Sequence, residues 1–197
     1  MRTLIAAPVM IVLGLAVGPR AVAAQWGVSA EVGVARFGGT SRDSSGATVG
    51  PYRPTTLGVR IDRDAGAVRV ALDVLYAAPG LAGDNGDLAV VQYGVLSLWE
   101  IVPEIGLRVA RFGAGVEARV EAGPAIDLWE FNGERRHRVG ARGGVALEWP
   151  LARSLSGALR LSGAWSGSMV DPGDVPAGVE RVSTRRIGVV LALRYRL

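Results

Sequence analysis

Apolar and ionised residues alternate at successive positions along most of this chain, and no other feature limits its folds so strongly. The last stretch, "RRIGVVLALRYRL" from Arg185 to Leu197, shows it plainly. Ile187, Val189, Leu191, Leu193, Tyr195 and Leu197 fall on one face; Arg186, Gly188, Val190, Ala192, Arg194 and Arg196 fall on the other. Side chains of a strand point alternately to its two sides, so such a segment separates an oily surface from a charged one. Two folds can use it. A soluble sandwich turns the oily side to a core and the charged side to water. A membrane barrel turns the oily side to lipid and the charged side to a polar lumen.

The same period recurs upstream. "WGVSAEVGVARF" (Trp26 to Phe37), "TTLGVRID", "AVRVALDVLY", a long run from Ala89 to Val109, "VEARVEAGPAIDLWEF", "HRVGARGGVALEW" and "SLSGALRLSGAW" each read as a strand. With the terminal segment they make eight. The run from Ala89 to Val109 is the hardest to place. Val91, Tyr93, Val95, Trp99, Ile101, Ile105, Leu107 and Val109 share a face, but Leu96 and Leu98 lie on the polar side and Pro103 interrupts the pattern. We read one long strand whose first part stands above the membrane, with an extra hairpin as the alternative. The proline suggests a bulge or an edge. "TSRDSSGATVGPYRP", "AAPGLAGDNGD" and "SGSMVDPGDVPAGVERV" read as long loops, "NGERR" as a short one, and "RDAG", "ARFGAG" and "PLAR" as turns.

Three observations favour the membrane barrel. Long connections follow strands one, three and seven, while short turns follow strands two, four and six; outer-membrane barrels show this rhythm, with short turns and both termini on the periplasmic side. Trp26, Trp149 and Tyr195 fall near one set of strand ends, and Tyr76 and Trp165 near the other, as two interfacial belts require. The ionised residues weigh most. Glu31, Arg60, Asp62, Arg69, Asp73, Glu100, Glu104, Arg108, Glu117, Arg119, Glu121, Asp127, Arg138, Arg142, Glu148, Arg160, Arg186 and Arg194 all occupy the non-apolar parity. Inside an eight-stranded barrel, just wide enough for side chains to fill, acids and arginines can pair. The opposite face is aliphatic and carries few large rings, which suits lipid.

Bulk properties agree. Met1-Arg2-Thr3, an apolar stretch from Leu4 to Val17 and "GPRAVAAQ" follow the layout of a secretory leader. Val22 and Ala24 stand at −3 and −1 of a small-residue cleavage site, or Ala21 and Ala23 one residue earlier. We therefore divide the chain into a cleaved signal peptide, residues 1–24, and a barrel domain, residues 25–197. Cysteine is absent, which removes a lipid-modified amino terminus, disulfides and thiolate metal sites. All 22 basic residues are arginine, a better account of the pI near 10.3 than a nucleic-acid surface. Without Arg2 and Arg20, 20 arginines face 18 acids and form no basic run.

The phrase "VEAGPAIDLW" resembles a segment common in the outer-membrane protein β-barrel domain family, and "WEIVPEIGLRVA" resembles the strand preceding it. The terminal strand is similar to the signal read by the barrel-assembly machinery, with Tyr195 two positions before the end; Leu197 stands where a terminal aromatic is usual. The resemblance implies an all-β, closed, antiparallel, up-and-down eight-stranded transmembrane barrel in the bacterial outer membrane. It carries no single activity.

Catalytic chemistry finds no footing. His137, the one histidine, sits on the lipid-facing parity with no serine in matching position, while Asp127 on the neighbouring strand points inward. Asp84, Asn85, Asp87 and Asp171 to Asp174 lack calcium-loop spacing and are explained as turn residues. "GAGVEARVEAG" continues as a strand and cradles no phosphate. We expect no enzyme, no cofactor, no metal and no nucleic-acid partner. The expected protein is a monomeric, charge-plugged barrel with a structural or surface-interaction role. Its expected partners are outer-membrane lipid and the assembly machinery, and the loops leave room for an extracellular one. A small channel, or a soluble exported barrel holding a lipophilic ligand, are the alternatives.

Overall fold

In a computed structural model of the chain, the alternating segments pair into a ladder that returns on itself. The structure describes residues 25–38, 41–42, 48–52, 54–84, 89–131, 133–169 and 180–197. The expected leader, and Asn85, Asp87 and Asp171 to Asp174, lie outside the described residues. In chain order the strands are β1 (Gln25–Gly38), β2 (Ser41–Arg42), β3 (Thr48–Tyr52), β4 (Thr55–Ala65), β5 (Val68–Ala77), β6 (Gly80–Asp84) and β7 (Ala89–Gln92). There follow β8 (Leu96–Phe112), β9 (Val116–Phe131), β10 (Glu134–Pro150), β11 (Leu155–Ser166), β12 (Glu180–Arg181) and β13 (Thr184–Arg196). Eight of them close in the order β1-β13-β11-β10-β9-β8-β5-β4, every neighbour antiparallel and adjacent along the barrel chain. Closure leaves the barrel no free sheet edge. No helix among the described residues is long and apolar enough to cross a membrane; crossing by strands is the route this architecture provides.

The wall is inverted relative to a soluble protein. Val34, Ile187 and Val139 are 62%, 65% and 72% exposed on the outside, whereas Arg60 and Asp73 are 0% exposed inside. On β1 the outward face runs from Trp26 to Arg36, and on the adjoining β13 from Tyr195 to Arg185, with no charge between. Ten residues span about 33 Å of strand, or about 24 Å of height at a tilt near 45°. That matches an apolar band about 25 Å tall. Trp26, under the Arg63 guanidinium at 5.6 Å, and Tyr195 mark one border. Trp165, opposite Arg185, and the Tyr76–Trp99 ring pair at 4.9 Å mark the other. Trp149 lies across Gly157 on the next strand, where a Cβ would strike its ring.

Several expectations need correction. The segments taken as long loops contain β2, β3, β6 and β12, and these join β7 in a second sheet of order β12-β2-β3-β6-β7. That order repeats β13-β1-β4-β5-β8 of the barrel. Each short strand continues its barrel neighbour along the chain, so the wall extends past the barrel's long-connection end over five adjacent strands. The run from Ala89 to Val109 is not one strand. It breaks at Gly94, whose φ of 78° favours glycine, and β7 pairs back on β6 as a hairpin outside the barrel. Pro103 marks no bulge: the register shift lies between Arg108 and Ala110. Pro103 does coincide with a gap in the β8–β9 ladder, between Ile101↔Ile126 and Ile105↔Ala122, where the register sets it opposite Pro124. Neither proline has an N–H to donate. "NGERR" is mostly strand, since β10 begins at Glu134 and Gly133 turns the chain at φ 84°.

Candidate functional site

The lumen is where the polar chemistry of the chain is gathered, and it divides into three zones. Inward parity brings Arg60, Asp73, Glu100, Glu104, Glu121, Arg142, Arg160 and Arg186 into the middle of the barrel from seven strands, all nearly or fully buried. Arg142 binds Asp73, reaches Glu100 at 3.0 Å and lies 3.1 Å from Glu104. Arg60 pairs with Glu104 and with Glu121 at 2.8 Å. Arg160 pairs with Glu31, and Arg186 with Glu100. Buried charges are tolerable only when so compensated.

Toward the short turns the network continues. Arg69 donates to Asp64 at 2.9 Å and to Glu148 at 3.0 Å, and Arg194 donates to Asp62 at 2.9 Å and to Asp64 at 3.1 Å. Local strand pairing would have set like charges together, because Glu148 lies opposite Glu117 and Arg108 opposite Arg119. The neutralising partners come largely from other strands: Arg69 and Arg160 reach Glu148, and Arg119 approaches Asp64 to 3.3 Å. Beyond this tier the barrel opens into a cavity of about 250 Å³ at its short-turn end.

At the opposite end the lumen is closed by an oily cap that sequence reading missed. Leu75, Ala77, Leu96, Leu98, Trp129 and Met169 pack together, with Phe37, Val95 and Phe131 against them. Trp129 is 1% exposed and meets Phe37 edge-on at 5.6 Å between ring centres. Leu96 and Leu98 fall on the polar parity because the polar side has become apolar at this height. Met169, just past β11, is held over the cap by Arg136, which donates to its carbonyl at 3.2 Å, and by Arg138, which donates to the Ser168 carbonyl. The inward parity Trp129 shares with Asp127 was the available signal.

His137 is exposed on the outside of the wall opposite Leu128, while Asp127 is 4% exposed within the lumen. The wall separates them. Among the described residues no group of three or more His, Asp or Glu side chains is arranged to hold a metal ion.

No protein family and no curated protein matches the chain in sequence. In architecture it is similar to Neisserial surface protein A, with a TM-score of 0.55 at 11% identity over 87% of this chain and 97% of that one. A major outer membrane protein from Thermus thermophilus gives 0.48 at 16% identity, covering 89% and 100%. The N-terminal β-barrel domain of Pseudomonas aeruginosa OprF gives 0.45 at 14%, covering 84% and 96%. At such identities the first of these likenesses speaks for the eight-stranded barrel fold alone.

Proposed function

We propose that this chain is a bacterial outer-membrane protein of the β-barrel domain family, exported with loss of residues 1–24. It acts as a membrane-embedded scaffold for a surface interaction and not as an enzyme. The observation that carries the reading is the inverted polarity of the wall: a charge-free aliphatic band about as tall as a bilayer core outside, and paired guanidiniums and carboxylates inside. Lipid is the partner of the band. The terminal strand, Thr184–Arg196, engages the assembly machinery. The wall extension built from β2, β3, β6, β7 and β12 is the part that meets an extracellular partner, since among the described residues the barrel's own lumen at that end is filled by the apolar cap.

Two features speak against a channel. The mid-lumen is filled by ion pairs, and the apolar cap stands above them. A soluble carrier of a lipophilic ligand would need an apolar cavity, and the lumen is lined with charge. Cell fractionation tests the reading directly. The protein should stay with outer membranes after salt and alkali washes, show faster gel mobility when unboiled, and begin at Gln25 by mass. Recovery in the soluble periplasmic fraction without detergent would overturn it.

A further inference from the structure

We propose that the cavity at the short-turn end of the barrel is a binding site for a phosphate-bearing anion. Arg69, Arg108, Arg111, Arg119, Arg194 and Arg196 line it, against Asp64, Glu117 and Glu148. Six guanidiniums face three carboxylates there, and Asp62 just behind the lining binds Arg194, which leaves an excess of two positive charges. Several hydrogen-bond donors there are unused. Arg119 is 2% exposed; its Nη2 donates to Glu117 at 2.8 Å, yet its Nε and Nη1 have no hydrogen-bond partner, and neither has Nε of Arg196. Unused guanidinium N–H groups also occur deeper, on Arg186 for example, but the space beside it is about 10 Å³ and takes no more than a water. Among the described residues, the short-turn end joins spare donors, surplus charge and room.

The chemistry of the ligand follows from those three. Guanidinium forks match the oxygens of phosphate, and a group with two or more charges suits the surplus better than a single carboxylate. The mouth is polar apart from Trp149 and Pro150, so little of the ligand beyond its phosphate need be apolar. Either a soluble phosphate compound or the phosphates of an inner-leaflet lipid headgroup could supply the group. That the mouth faces the periplasm rests on the outer-membrane reading; the site does not.

Calorimetric titration of the folded protein in neutral detergent with inorganic diphosphate tests the site independently of membrane location. Saturable binding is expected, weakened about tenfold or more in an Arg111→Gln/Arg196→Gln double variant, as loss of charge-assisted hydrogen bonds implies. Arg111 is 62% exposed, so the double variant should keep the fast unboiled gel mobility of the folded barrel. Arg119→Gln, checked for the same mobility, should weaken binding similarly. Repeating the titration in phosphatidylcholine vesicles with and without cardiolipin separates the sources. Weaker diphosphate binding in cardiolipin supports a headgroup ligand, and unchanged binding supports a soluble one. Absence of saturable binding in wild-type protein, or undiminished binding in folded double variant, overturns the proposal.

Discussion

A single position in this wall has one of two solvents, and the sign of a substitution depends on which. Val189 lies outward, between Arg185 and Tyr195 on β13, in the middle of the charge-free band. Val189→Arg should destabilise the barrel by about 2–4 kcal/mol in lipid vesicles, the penalty for a cation facing hydrocarbon near the midplane. On an exposed soluble strand the same change would be close to neutral. Urea unfolding in vesicles, followed by tryptophan fluorescence, measures the difference. Inward positions obey the opposite rule. Arg142 touches Asp73, Glu100 and Glu104, so Arg142→Leu strands buried carboxylates and should remove about 3–5 kcal/mol in the same assay. Trp129 follows neither rule, being inward and apolar. Trp129→Ala should cost about 3–5 kcal/mol through the hole it leaves beneath Phe37 and Leu98. If it instead proved neutral by urea unfolding, the cap would not be a packed core.

Between strands, the question is which pairings the local sequence dictates. Period two sets the face of every residue in β1, β4, β5, β9, β11 and β13, and the structure agrees with it there. The alternation holds in β8 too, but the extent of that strand and the polarity of its inward face were misread there, for two physical reasons. Glycine at 94 let the chain turn out of the barrel, so that β7 belongs to another sheet than β8. Leu96 and Leu98 then face inward among apolar neighbours contributed by β5, β9 and the segment after β11, none of which alternation within β8 can report. The short strands β2 and β12 escaped notice because each holds only two residues, too few for a period to register. Their order nevertheless follows from the barrel: strands already side by side keep their neighbours when they continue. The β9–β10 hairpin is tighter than "NGERR" suggested because Gly133 accepts a positive φ, leaving Glu134 to Arg136 free to pair.

For the whole molecule the two closures act in series. An ion entering from the short-turn cavity meets the Arg60, Arg142 and Arg160 pairs, and one entering from the other end meets the Trp129 cap. Planar-bilayer recordings should therefore show no steady conductance for the wild-type protein, and none for Trp129→Ala, because the ion-paired zone remains. A steady open level in the wild type would contradict the filled lumen. What the sequence determined by itself was the two-sided wall: alternation is a local property, carried by each strand whatever its neighbours, and it separated the aliphatic face from the ionised one. Which acid neutralises which arginine was decided only in three dimensions. Arg194 and Asp62 stand 132 residues apart and Arg160 and Glu31 stand 129 apart, and the ladder by itself would have left Glu148 beside Glu117. Closing the sheet brings opposite walls within reach of a guanidinium, and no pattern confined to one strand encodes that distance.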